Sequence, residues 1–155
     1  MSVQSLKPTV SKLYDQDFVA WAFQTARLLR AGRLEEIDAE SLAEEVEAMA
    51  GRDQREVVSR LKTLLLHLLK WRYQAGKRSR SWQKTIDAQR VELEDVFEQS
   101  PSLRATLPEA LAKAYPRAVR TAGIETGLPA GIFPAKCPFS REQILSSEFL
   151  PEPRR

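Results

Sequence analysis

The chain has 155 residues, of which 43% are hydrophobic and 29% charged, with 24 Lys and Arg against 21 Asp and Glu and a net charge of +3. That length and balance suit a single globular domain and exclude a disordered chain. One cysteine, Cys137, excludes a disulfide within one copy and points to a reducing compartment.

At the N-terminus, Lys7 and Pro8 stand where a secretory signal needs an apolar core. The longest apolar stretch, Leu64 to Leu69, is broken by His67 and is too short to span a bilayer. The expectation is therefore a cytoplasmic protein with no membrane contact. Residues 1–12 read as a flexible arm, 13–150 as one helical-bundle domain and 151–155 as a disordered tail.

Helical periodicity runs through the chain. Asp15 or Asp17 can cap a first helix whose core face carries Phe18, Trp21, Ala22, Thr25 and Leu29, with Gly32 placed as its stop. Asp38 or Ser41 opens a second segment with Leu42, Val46 and Met49 on one face, and Gly51 interrupts it without deciding whether the helix ends. From Asp53 to Tyr73 the chain is at its most apolar. Val57, Val58, Leu61, Leu64, Leu65, Leu68 and Trp71 form a broad stripe, and Leu66 falls on the other side, so this segment is expected to be the enclosed central helix.

A turn around Ala75 and Gly76 leads to Ser81, a candidate cap for a helix with Trp82, Ile86, Leu93, Val96 and Phe97 inward and Gln89 among them. Ser100 and Pro101 end it. Pro108 then starts a helix with Leu111, Ala114, Tyr115, Ala118 and Ala122 on one face, which Pro116 should kink or shorten. Beyond Gly123, the prolines Pro129, Pro134 and Pro138 rule out regular structure, while Phe133 and Phe139 require burial, so an ordered cover over the bundle is expected. Ser140 and Gln143 have capping-box spacing for a short last helix. The predicted fold is all-α, an antiparallel bundle of four to five main helices closed by that irregular segment.

These segments resemble a bacterial family known only as domain-of-unknown-function family twenty-nine. The resemblance lies in Leu13 to Phe18, Leu28 to Gly32, Leu42 to Glu47, His67 to Trp71, Ser79 to Trp82 with Ile86, Gln89 and Arg90, then Ser100 to Leu103, Glu125 to Pro129 and Cys137 to Phe139. It implies a helical bacterial protein and carries over no activity, substrate or binding residue.

The strongest local feature is a basic run. Lys70, Arg72, Lys77, Arg78, Arg80 and Lys84 occur with no acid between them, interleaved with Trp71, Tyr73 and Trp82. Clustered cations neutralise phosphates, and exposed aromatic faces stack on bases. Against this, Trp71 and Trp82 fit the inward stripes of their helices. The segment Leu34 to Gly51, with seven acids and no Lys or Arg, offers the run a partner within the chain or in a second copy.

Arg60 and His67, seven residues apart, share a helix face about 10 Å apart. The pair resembles the arginine-then-histidine pattern of HEPN-type ribonucleases. That resemblance implies His67 as general acid and base and Arg60 as stabiliser of phosphate charge. Leu61 after Arg60 departs from the pattern, and a histidine inside a leucine run suits packing.

Glu44, Glu45 and Glu47 lack the spacing that would join His67 in a metal site, so no metal or cofactor is expected. Cys137 reads as a packed residue. The functional expectation is a non-enzymatic binding module contacting nucleic acid or an acidic protein through the basic run. The alternatives are a metal-independent ribonuclease using Arg60 and His67, and a homodimer joined by the charge asymmetry.

Overall fold

A computed structural model describes residues 10–154, with side chains from residue 13 onward. Of the arm expected over residues 1–12, residues 1–9 lie outside the described residues and 10–12 already belong to a helix. Among the described residues the helices are α1 (Val10–Gln16), α2 (Phe18–Arg30), α3 (Ala39–Tyr73), α4 (Arg80–Gln99), α5 (Ser102–Ala105), α6 (Leu107–Thr126) and α7 (Arg141–Leu145). Short 3-10 turns link some of them, and no strand is found among the described residues. The fold is all-α with four long helices, α2, α3, α4 and α6. The chain forms two compact units, one through Gly51 and one from Arg52 onward.

In the first unit Asp17 starts α2, its carboxylate accepting from the Ala20 N–H at 3.0 Å. Gly32, at φ 69°, supplies the left-handed residue that ends it. Asp38 accepts from both the backbone N–H (3.2 Å) and the hydroxyl (2.6 Å) of Ser41 at the start of α3. The Tyr14 hydroxyl donates to Glu45 at 2.7 Å. That bond to a carboxylate pushes the phenol pKa up to about 12.

The buried stripe of α2 is Trp21, Thr25 and Leu28, not the expected set, since Phe18 and Leu29 are exposed. Helix geometry explains the choice of leucine. Leu28 lies about 20° around the axis from Trp21, whereas Leu29 lies about 80° away. Val46 and Met49, expected with Leu42 on one face of their helix, are each 57% exposed.

The second unit holds the main core. Leu61, Leu64, Leu65, Leu68 and Leu69 of α3 are wholly excluded from solvent. They pack with Ile86, Leu93 and Phe97 of α4, Ala114, Tyr115, Ala118 and Ala122 of α6, and Phe133, Phe139 and Ile144 of the C-terminal segment. Leu66 is buried as well, so this stretch of α3 is enclosed on more than one face, as its composition predicts.

Neither helix breaker ends its helix. Gly51 lies inside α3, and Pro116 lies inside α6. Pro116 and Ala112 both face solvent, so water can satisfy the Ala112 carbonyl that the proline leaves without its helical donor. The cap of α4 is Ser79 rather than Ser81. Its hydroxyl accepts from the Trp82 N–H at 3.2 Å, so the helix starts two residues early.

The C-terminal cover is ordered. Gly127, at φ 70°, ends α6, the Tyr115 hydroxyl donates to the Pro134 carbonyl at 2.5 Å, and Ser140 and Gln143 form both halves of the expected capping box. Arg90, in the middle of α4 and only 6% exposed, donates to the carbonyls of Ile144 (2.8 Å) and Gln143 (3.2 Å). Of the tail expected to be disordered over residues 151–155, residue 155 lies outside the described residues and 151–154 follow the C-terminal cover. Pro151 is buried, and the Arg154 N–H donates to the Arg72 carbonyl at 3.1 Å.

Candidate functional site

The basic run folds into the last turn of α3, the 3-10 turn Ala75–Lys77 and the first turn of α4. Its six cations divide into two groups. Lys70, Arg72 and Arg78 are turned to structural use. The Arg78 guanidinium donates to the Trp71 carbonyl at 2.8 Å and the Pro151 carbonyl at 3.4 Å, and lies 5.0 Å from the Trp71 ring. The Lys70 ammonium pairs with Glu125 of α6 at 3.0 Å and sits 4.6 Å over the Trp82 ring. Arg72 is half-buried, its carbonyl holds Arg154, and its guanidinium lies 5.8 Å from the Tyr73 ring.

The aromatics are therefore covered by the protein's own cations, and Tyr73 also stacks edge-on against Phe133 at 5.1 Å. Trp71, Tyr73 and Trp82 are half-buried. The base-stacking role that their interleaving suggests does not fit rings already occupied in this way.

Lys77, Arg80 and Lys84 form the second group. All three are exposed, and none makes an ion pair among the described residues. Arg80 and Lys84 stand one helical turn apart on α4, and Lys77 lies in the turn leading into it. The first turn of α4 holds no acid. Lys77 and Arg80 thus flank the positive end of a 20-residue helix, where a cation costs about 0.3–1 kcal/mol relative to a favourable charge, and Lys84 stands one turn further in.

Arg60 and His67 are given separate partners. The Arg60 guanidinium donates to Glu56 at 2.9 Å, approaches Glu92 of α4 at 3.4 Å and donates to Gln89 at 3.4 Å, so two carboxylates neutralise it. The same bond gives Gln89 a partner. His67 Nδ1 lies 2.8 Å from the Thr63 carbonyl; a carbonyl only accepts, so the proton is on Nδ1 and Nε2 is left as an acceptor. No bond links the two side chains.

Burial holds the His67 pKa below its usual value, helped by Lys70 and opposed by the Thr63 carbonyl and Glu125. The unfolded chain then takes up the proton first, near pH 6.5. Above that pH both states are neutral and this group adds no pH dependence. As pH falls through 6.5 towards the folded value the protein loses stability, by at most about 1.4 kcal/mol per pH unit. His67 is the one histidine in the chain, so His67→Gln should flatten the fall in urea midpoint between about pH 7.5 and 5.5. An unchanged profile would refute this account.

Cys137 is half-buried with its thiol 3.5 Å from the Phe139 carbonyl, and burial raises its pKa, the reverse of an activated nucleophile. Among the described residues no group of three or more His, Cys, Asp or Glu is placed to hold a metal, and no helix is long and apolar enough to cross a membrane. Periodicity alone missed Glu125 as the partner of Lys70 and Pro151 as the partner of Arg78. Both contacts join positions more than fifty residues apart, and only their place in the family resemblance marked Glu125 at all.

Fold and surface together define a small all-α protein with a basic helix–turn–helix end. The chain belongs to the family described as Domain of unknown function DUF29, whose model matches residues 13–150. No curated protein and no solved structure matches it.

Proposed function

We propose that this chain is a non-enzymatic binding module that takes an anionic polymer at the N-terminal end of α4, in the cytosol of a bacterium. The observation that carries this reading is the exposure of Lys77, Arg80 and Lys84, unpaired, around a helix end that disfavours cations. Retaining them there costs stability, and an anionic partner would recover it. Covered rings and an acid-free turn suit recognition of charge rather than of bases. The polymer's chemistry is a run of negative groups, supplied either by a nucleic-acid backbone or by an acidic polypeptide. The single cysteine and the family resemblance support the compartment and the source.

The test separates binding from folding. Lys77→Glu/Arg80→Glu/Lys84→Glu leaves the Arg78 clamp intact and puts acids at the positive helix end, so its unfolding free energy should equal or exceed wild type by up to about 1 kcal/mol. Retention of single-stranded RNA should fall with salt at a log–log slope of about −2, for three phosphates at about −0.7 each. The triple variant should abolish it. If poly-glutamate is held more tightly than RNA at equal salt, the partner is an acidic protein. No retention of either polymer at low salt removes the proposal.

A further inference from the structure

The first unit carries an apolar groove of about 440 Å³. Leu29 of α2, Leu34 of the 3-10 turn Leu34–Glu36, Ile37, and Leu42, Val46 and Glu47 of α3 line it. It is open: Leu29 is 44%, Leu34 64% and Val46 57% exposed. Met49, also 57% exposed, continues the stripe one turn further along α3. From Leu42 to Met49 the stripe runs about 10 Å, two helical turns. A contiguous exposed apolar face of this kind marks a contact surface, and a flexible methionine at its end adapts to a partner.

The charge beside the groove is one-sided. Leu34 to Gly51 carries seven acids and no Lys or Arg. Glu36 is held by Arg33 and Glu45 by Tyr14, but Glu35, Glu40, Glu44 and Glu47 make no ion pair among the described residues. The cations of this unit with described side chains, Arg27, Arg30 and Arg33, lie on α2 and just after it, whereas Glu47 lines the groove on α3 and Glu40, seven residues earlier, shares its edge of the helix.

We propose that this groove docks one amphipathic helix of a protein partner. That helix presents apolar anchors at i, i+3 or i+4, and i+7, with Lys or Arg beside them. Two turns of groove match the anchor spacing of helix-in-groove recognition, and the acidic edge of α3 at Glu40 and Glu47 selects the flanking charge. A second copy of the same face would oppose acid to acid. An anionic lipid surface would be repelled by the same side chains. The inference concerns a different surface from Lys77, Arg80 and Lys84 and stands independently of the function proposed for them.

The experiment is selection of a phage-displayed library of random helical peptides on the full chain, with depletion on Val46→Asp. Val46 is more than half exposed, so this change should leave the circular dichroism spectrum of wild type. Peptides enriched on wild type should carry apolar residues at that spacing and a net positive charge. A synthetic copy should bind Val46→Asp at least tenfold more weakly. It should also bind Glu40→Lys/Glu47→Lys at least tenfold more weakly and lose most of its salt dependence there. Three results would overturn the proposal: no groove-dependent enrichment, enrichment of acidic or neutral peptides, or light scattering that finds a wild-type dimer made monomeric by Val46→Asp. The last would assign the groove to a second copy.

Discussion

Arg90→Ala is expected to lower the unfolding free energy by about 3–5 kcal/mol, the largest effect of any polar substitution in the second unit. The guanidinium is almost fully buried, and its two bonds to the Ile144 and Gln143 carbonyls fasten the end of α7 to the middle of α4. Burial lowers its pKa and Asp87 partly restores it, but the group starts so far above neutrality that it stays charged. Each bond from a charged donor contributes about 1.5–3 kcal/mol, and its loss leaves a carbonyl without that donor. Urea unfolding measures the total. Arg90→Met, which keeps the aliphatic stem, should recover part of it through packing alone. Limited proteolysis adds a local reading, because cleavage between Leu128 and Leu145 should accelerate in Arg90→Ala before global unfolding does. A loss under about 1 kcal/mol would mean that the cover is held by its apolar contacts.

Leu65→Ala should cost about 3 kcal/mol, within the 2–5 range for a leucine truncated in a core that cannot collapse around the gap. Leu65 has no exposed surface and lies among α4, α6 and the C-terminal segment in one cluster. Met49→Ala, on the same helix but 57% exposed, should change stability by no more than about 0.5 kcal/mol. The pair of measurements locates the core along α3. Equal losses at the two positions would contradict a main core that lies along the second-unit part of α3.

The leucine stripe of α3 was readable because its signal is local and redundant. Seven apolar positions repeat at helical spacing, and a one-residue error in any boundary leaves the stripe where it is. Asp17, Gly32 and the Ser140–Gln143 box were readable for a similar reason, since each acts on a backbone group within a few residues. The same locality explains the errors. Ser79 and Ser81 are both good caps by residue type, and the choice depends on how the preceding turn enters α4. Leu42, Val46 and Met49 form a proper amphipathic stripe, yet periodicity identifies an apolar face without identifying what covers it. Gly51 and Pro116 are helix breakers by propensity, at about 1 and 3 kcal/mol, and each nevertheless lies inside a continuous helix with several turns on either side.

For the candidate site, sequence located the six cations and could not sort them. The division between Lys70, Arg72 and Arg78 on one side and Lys77, Arg80 and Lys84 on the other follows from Glu125, Pro151 and Arg154, which approach from distant parts of the chain. What the sequence determined by itself was the helical class, the enclosed centre of α3 and the presence of basic and acidic segments, because periodicity and charge are properties of neighbouring residues. Only the tertiary structure decided which cations face water, where Arg60 and His67 spend their hydrogen bonds, and that a buried arginine pins the C-terminal cover. Those outcomes depend on pairs brought together from far along the chain, and no local pattern encodes the partner.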